Sequence, residues 1–444
     1  MRKLKLKLRL SSFQVILTAF LAVILLGAVV LTFPVSARGG QWTPFADALF
    51  TATSAVCVTG LVVQDTATYW SPFGQAVILL LIQLGGLGIV TSAALISSLS
   101  GKRVSLLQRS AVQDSISAHQ IGGILGMTRF LFLVAFITEL VGALALMPAF
   151  CGTFGPRGVW LAVFHSISAF CNAGFDLMGS YSGPFSSLTA FHTHMGVVLP
   201  VCALIVVGGI GFLTWSDMAE HRHHLSRYRM QSKVILVTTG FLILVPTLML
   251  FFGDFASLPL GERFSLSLFQ AVTPRTAGFN TADLSAMTSG GRALIIVLML
   301  IGGSPGSTAG GMKTTTAAVL FANTAAVFRR RRDPLLFGRR VEDAAVKDAA
   351  ALLGLYFTLA LAGAWIISAL EGLGFAPCLF ETASAIGTVG LSLGLTPSLG
   401  LASHLILIAL MFFGRVGMLT VVYALLSRHG GDSSRYPAGK IVVG

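Results

Sequence analysis

Four short stretches of this chain hold the residues whose types and spacing could do chemistry: ALFTATSAVCVTGLV (48–62), AVFHSISAFCNAGFD (162–176), SLFQAVTPRTAGFN (267–280) and CLFETASAIGTVGLS (378–392). Each has a phenylalanine near its start, a helical turn bearing Ser or Thr, and then a glycine. The separation is ten residues from Phe50 to Gly60, Phe164 to Gly174 and Phe380 to Gly390, and nine from Phe269 to Gly278. The glycines fall 114, 104 and 112 residues apart, a long period that marks an internal repeat. Each stretch is too short to cross a bilayer. A half-helix that enters one leaves backbone carbonyls unpaired, which is tolerable where they line a cavity or coordinate something. Half-helices whose C-terminal, partly negative ends meet on an axis favour a cation there. Glycine supplies the backbone freedom to turn successive carbonyls the same way. The chemistry implied is cation coordination by backbone oxygen.

The elements that must position these loops are membrane helices. Of 444 residues, 55% are hydrophobic and 11% charged, with a mean hydropathy of +0.83, more apolar surface than a water-soluble core can use. Apolar runs lie near 12–33, 73–99, 130–151, 195–215, 233–252, 292–302 continuing through 315–328, 349–370, and 401–426. At roughly 20 residues per span this gives about eight crossings. The basic start MRKLKLKLRL followed by an apolar run imitates a secretory signal, but the run is longer than a signal core and is read as a retained first helix.

Basic residues set the orientation. Arg2, Lys3, Lys5, Lys7 and Arg9 open the chain. The connections near 100–129, 219–233 and 328–347 are basic, the last holding Arg329, Arg330, Arg331 and Arg332, and the tail adds Arg428, Arg435 and Lys440. The intervening connections hold only scattered cations, so both termini are expected in the cytoplasm. This placement and anionic lipid headgroups account for the net charge of +13, and no nucleic-acid partner is expected because no basic segment has aromatic interleaving. Cys57, Cys151, Cys171, Cys202 and Cys378 form no metal spacing and are expected to be free thiols.

A second series repeats inside the helix after each loop: LGGLGIVT (84–91), VGGIGFLT (207–214), IGGSPGSTAGGMKT (301–314) and FFGRVGMLT (412–420). The unit is an outer helix, a re-entrant half-helix with a glycine loop, and an inner helix broken by glycine. Four units fill the chain, at 1–110, 111–225, 226–340 and 341–444. The fold expected is all-α and membrane-embedded, with about eight transmembrane helices in four helix–pore loop–helix repeats arranged with pseudo-fourfold symmetry around one pore.

Thr388-Val389-Gly390 resembles the start of the TVGYG loop that dehydrates potassium in K⁺ channels. With all four glycines, PRTAGFNT (274–281) and GGSPGSTAGGMKT (302–314), the whole chain resembles the Trk/Ktr/HKT superfamily of potassium transporters, most closely the Ktr-type membrane subunit. Trk-type members usually carry an extra amino-terminal helical pair, absent here ahead of the basic start. The resemblance implies a homodimer with one pore per subunit, in a bacterial cytoplasmic membrane, on a cytoplasmic RCK-type nucleotide-binding regulatory ring. Glycine in all four loops goes with K⁺ selectivity in the family, with Na⁺ a candidate coupling or activating ion. Carried onto this chain, K⁺ is coordinated by backbone oxygens of Val58, Thr59 and Gly60; Asn172, Ala173 and Gly174; Thr276, Ala277 and Gly278; and Thr388, Val389 and Gly390. The alternative is a Trk-type symporter or a less selective monovalent cation channel.

The third inner helix contains Gly302, Gly303, Ser304, Pro305, Gly306, Ser307, Thr308, Ala309, Gly310 and Gly311. Glycine costs a helix about 1 kcal/mol and proline about 3 against alanine, so this run is expected to unwind beneath the loops. The resemblance makes it a gate; the competing reading is a fixed helix break. Met312 separates Gly311 from Lys313 and spoils the imitation of a phosphate-binding loop, so no nucleotide is expected on this chain. Arg415 aligns with Gly86 and Gly209 of the other inner helices. A mid-membrane charge must face protein or water, so Arg415 is expected to bond the carbonyls of the 302–311 run and, with Lys313, to raise a barrier to cations; the competing reading is structural anchoring to helix-end carbonyls.

Arg275 either orients the third loop through carbonyl bonds or faces outer water. His221, Arg222, His223 and His224 invite a metal reading but sit in a basic connection with no acidic or Cys pattern, so a solvated or subunit-contacting loop is expected. Few acids lie in the spans, Glu139 among them, and no catalytic constellation appears; an enzyme is not expected.

Overall fold

The computed structural model describes residues 11–100, 105–116, 124–418 and 420–422. Four helices are long and apolar enough to cross a membrane: α1 (Ser12–Thr32), α6 (Ile124–Phe154), α11 (Met230–Phe252) and α15 (Asp343–Glu371). Each is followed by a shorter helix: α2 (Phe45–Val56), α7 (Arg157–Phe170), α12 (Leu260–Val272) and α16 (Phe375–Gly387). At 12, 14, 13 and 13 residues these cannot reach across a bilayer.

The remaining helices lie between or after these pairs, and α5 runs across the expected boundary at 110/111. α3 (Pro72–Leu87) turns into α4 (Ile89–Leu99), and α5 (Leu106–Ile116) follows. After α7 come the single turn α8 (Gly179–Ser182), then α9 (Met195–Ile210) and α10 (Phe212–His221). After α12 come α13 (Ser289–Leu300) and α14 (Thr314–Phe328), then a small antiparallel ribbon of β1 (Leu335–Leu336) and β2 (Arg339–Arg340). α17 (Leu401–Val416) follows α16.

Sequence explains where the inner helices break. α3 and α4 meet at 92°, and α9 and α10 at 95°. The pivots are Gly88 and Gly211, whose φ values of +89° and +99° suit glycine and few other residues. Gly417, which ends α17, has the same conformation at φ +91°. By length and composition the described residues offer four spans, or six when each bent pair is one span. The expected eight also requires the interrupted α13–α14 segment and α17, each too short by itself.

α1 packs as a working part of the molecule. It starts on a capping box, Ser11 Oγ accepting from the Gln14 N–H while Gln14 Oε1 accepts from the Ser11 N–H. Ile16, Phe20, Ile24, Ala28 and Leu31 recur at three- and four-residue steps and are buried, while Leu21, Leu25, Leu26 and Val29 stay exposed. Exposed apolar residues on α6, such as Phe136, Ile137 and Leu140, and on α11, such as Val237, Phe241 and Leu244, complete a lipid-facing surface.

The short helices link the units. α2 touches α3 and also α17; α7 touches α9 and α3; α12 touches α13 and α9; α16 touches α17 and α13. Each therefore packs against the following inner helix of its own unit and that of the unit before, and the series closes on itself.

Candidate ion-binding site

The C-terminal ends of α2, α7, α12 and α16 lead directly into the four glycine loops. The loops share one backbone pattern. Val58, Asn172, Thr276 and Thr388 have φ values of +49°, +57°, +73° and +50°, and two residues later Gly60, Gly174, Gly278 and Gly390 have +89°, +69°, +80° and +96°. Left-handed backbone at a valine or threonine carries strain and persists only where the surroundings enforce it. Alternating hands along each loop turn its carbonyls to one side.

The restraint comes from the short helices. The N–H groups of Thr59, Ala173 and Val389 donate to the Ser54, Ser168 and Ser384 carbonyls at 2.8 Å each, and Ala277 donates to Thr273 O at 3.0 Å. The Ser54 and Ser384 hydroxyls accept the N–H groups of Gly60 and Gly390 at 3.1 and 3.0 Å. Ser168 and Thr273 hydroxyls instead donate to Phe175 O and Phe279 O at 2.7 and 2.6 Å. These four tethers were not singled out as positions in the sequence, although they stand six residues before the glycine in three loops and five in the third, the loop with the shorter Phe-to-Gly spacing.

With the loop donors turned back to the helices, the carbonyls face elsewhere. Among the described residues, none of the carbonyls of 58–60, 172–174, 276–278 and 388–390 accepts a protein hydrogen bond. Thr59 Oγ1, Thr276 Oγ1, Thr388 Oγ1 and Asn172 Oδ1 are buried and also lack a partner. So many unpaired buried oxygens would be costly unless water or a cation meets them.

The structure brings the last two residues of each loop together in a ring, while Asn172, Thr276 and Thr388, one step earlier, lie against Gly208, Gly302 and Gly310. Gly60 abuts Ala173 and Gly174, Gly174 abuts Ala277 and Gly278, Gly278 abuts Val389 and Gly390, and Gly390 abuts Thr59 and Gly60. A Cβ on Gly60 would lie 2.6 Å from Ala173 O, and one on Gly174 2.7 Å from Ala277 O. Outside this ring a cavity of about 160 Å³ is lined by the four glycines with Asp65, Asp176 and Asn280. Asp65 Oδ2 accepts from Thr68 N and Oγ1 at 2.9 and 2.7 Å, and Asp176 Oδ1 accepts from Met178 N at 2.9 Å. Burial, opposed by the Met178 N–H and reinforced by the nearby Asp65 charge, pushes the Asp176 carboxyl up to about 7. Neither acid was picked out in the sequence, where they are two ordinary loop aspartates.

On the other side of the ring the 302–311 run is non-helical, as expected. It is also buried and bonded: Ser304 N to Gly209 O at 2.9 Å, Thr308 N to Gly208 O at 3.2 Å, and Gly311 N to Gly414 O at 3.2 Å. Gly306 O accepts from the Phe212 N–H, the first residue of α10, at 2.7 Å. Thr308 Oγ1 accepts from Asn172 Nδ2 at 2.8 Å and donates to Phe170 O at 2.9 Å, joining the run to the second loop. Gly310 lies against the Thr388 side chain.

Arg415 donates from Nη1 to Thr308 O of this run, and from Nη2 to Gly85 O and to Gly86 O at 3.0 Å, carbonyls at the C-terminal end of α3, so it meets both the run and a helix end. Lys313 Nζ donates to Ala309 O and Gly310 O at 2.9 and 3.2 Å. Both cations, with Asp114 of α5, line a cavity of about 200 Å³ beneath the run. Arg275 takes neither position foreseen for it. It is buried, reaches Thr239 Oγ1 of α11 at 3.4 Å, and leaves Nε unpaired.

A helical protein with membrane-length apolar helices and a ring of loops whose carbonyls accept no hydrogen bond among the described residues fits a transporter or channel for cations. Residues 5–434 match the family model described as TrkH: Cation transport protein, and the chain belongs to that family, whose members are transporters and not enzymes. It is 37% identical to the potassium/sodium uptake protein NtpJ of Enterococcus hirae, over 100% of this chain and 99% of that protein. Identity is 36% to Ktr system potassium uptake protein B of Bacillus subtilis, over 97% of this chain and 96% of that protein, a relative of the Ktr type expected. The fold matches the crystal structure of the potassium transporter TrkH from Vibrio parahaemolyticus with a TM-score of 0.74 at 20% identity, covering 96% of this chain and 87% of that one.

Proposed function

We propose that this chain is the potassium-translocating membrane subunit of a K⁺ uptake system. The observation that carries the reading is the closed ring of four glycine loops, whose carbonyls at 58–60, 172–174, 276–278 and 388–390 accept no hydrogen bond among the described residues. Relatives named for potassium or potassium/sodium uptake support the choice of ion. In this reading the four units, 1–110, 111–225, 226–340 and 341–444, surround one pore with pseudo-fourfold symmetry. K⁺ sheds water against the carbonyls of the ring, and Asp65 and Asp176 raise its concentration at the outer mouth. The 302–311 run is the gate. Arg415 and Lys313 hold it shut by binding its carbonyls and add positive potential where a cation must pass.

The chain works as a homodimer with both termini in the cytoplasm, under control of a cytoplasmic nucleotide-binding ring, with Na⁺ as a coupling or activating ion. The competing reading is a Trk-type symporter or a less selective channel. Reconstitution into liposomes separates them: rubidium tracer uptake well above sodium uptake, lost in Gly60→Ser, supports carbonyl selection. Equal rubidium and sodium flux in the unaltered protein would sink it.

A further inference from the structure

The cytoplasmic end of α10 carries a site that the transport reading does not use. Asp217, Glu220 and His221 stand at i, i+3 and i+4 and so share one helix face. One ligand atom from each, two carboxylate oxygens and a ring nitrogen, lie within 4.8 Å of one another. The acidic partners that the histidine-rich connection lacks as a linear pattern are thus supplied by the preceding turn of helix.

Asp217 is fully buried. Its Oδ2 is occupied, accepting from Ser232 Oγ at 2.6 Å and from Arg229 N at 3.1 Å. Oδ1 accepts no hydrogen bond and has only Arg229 Nε at 3.3 Å, on a side chain 54% exposed and free to swing into water. His221 Nδ1 is likewise buried without a partner. Asp217 Oδ1, held only by the Arg229 ion pair, and His221 Nδ1 are thus buried ligand atoms without a hydrogen bond, on one helix face with the exposed Glu220. The location at a helix C-terminus adds a partial negative charge.

We propose that Asp217, Glu220 and His221 form a binding site for a divalent transition metal of the zinc class. One imidazole and two carboxylates suit such an ion, and three protein ligands leave a further position for water. Metal–ligand bonds of about 2.1 Å require ligand atoms about 3.4 Å apart, so binding draws the three together by a rotamer change of Glu220. The metal replaces Arg229 as the counter-charge of Asp217. Because the same ten-residue helix holds Gly306 O through its first N–H, the site sits about 8–14 Å from that bond along one helix.

The test is equilibrium dialysis of the tag-free full-length protein in lipid nanodiscs against Zn²⁺, read by elemental analysis, a measurement independent of ion flux. One Zn²⁺ per chain is expected, with affinity weakened about tenfold or more in His221→Ala and in Glu220→Gln. Arg229→Gln should tighten binding by freeing Oδ1. Asp217 is left intact because it also ties α10 to α11. The double variant His223→Ala/His224→Ala, in the exposed neighbouring loop, should bind as the unaltered protein does. Substoichiometric binding, indifference to His221→Ala and Glu220→Gln, or loss in the His223/His224 variant instead would each overturn the assignment.

Discussion

Gly390 has a φ of +96°, and the side chain it lacks would point at Thr59 O and come within 2.9 Å of Gly60 Cα. Gly390→Ala therefore adds about 1–3 kcal/mol of backbone strain and pushes two loops apart. Rubidium uptake in liposomes should fall about tenfold or more, with the protein still folded by thermal unfolding. Arg415→Ala should act in the opposite direction. It removes a charged hydrogen bond to Thr308 O worth about 1.5–3 kcal/mol and frees the run beneath the ring, raising flux by roughly 10- to 100-fold. Unchanged or lower flux would make Arg415 a structural anchor only. Both residues were legible in the sequence, Gly390 by its recurrence and Arg415 as a charge among small residues. Ser54 and Ser384 were not, because a serine in an apolar helix has many ordinary uses and only the bonds to Gly60 and Gly390 distinguish these two. Their replacement by alanine should cost about 1 kcal/mol each and raise sodium flux relative to rubidium.

Elements show the same division. That α2, α7, α12 and α16 are re-entrant follows from their length and the flanking apolar runs, and the breaks at Gly88 and Gly211 follow from glycine. The burial of the 302–311 run does not follow. Composition says that such a run unwinds, but nothing local says that Gly208, Gly209 and Gly414 would present carbonyls to receive its N–H groups. The outer loops were opaque for a related reason: Asp65 and Asp176 lie 111 residues apart in the chain and meet only when the ring closes. Their meeting predicts a pH dependence. Asp176 loses its charge as pH falls through about 7, so apparent affinity for external rubidium should weaken between about pH 8 and about pH 6, and Asp176→Asn should flatten the profile. Stability runs the other way. A carboxyl raised in the folded chain above its ordinary value of about 3.9 favours folding as pH drops from about 7 toward about 4.

At the scale of the whole molecule, the proposed regulation requires a cytoplasmic nucleotide-binding partner. Co-expression with one should yield a stable complex by size exclusion and a nucleotide-dependent rubidium flux; a chain equally active alone would favour the self-sufficient symporter. The ring itself has a further consequence. A pore made of four identical subunits must repeat every feature four times, whereas the 302–311 run occurs once in this chain. Writing all four quarters into one chain permits a single quarter to differ. Gly88 and Gly211 bend two inner helices and Gly417 ends α17 in the same conformation, while the third inner segment carries the insertion. In the proposed reading, four unlike quarters within one polypeptide let the pore carry an obstruction on one side, which fourfold identity would forbid.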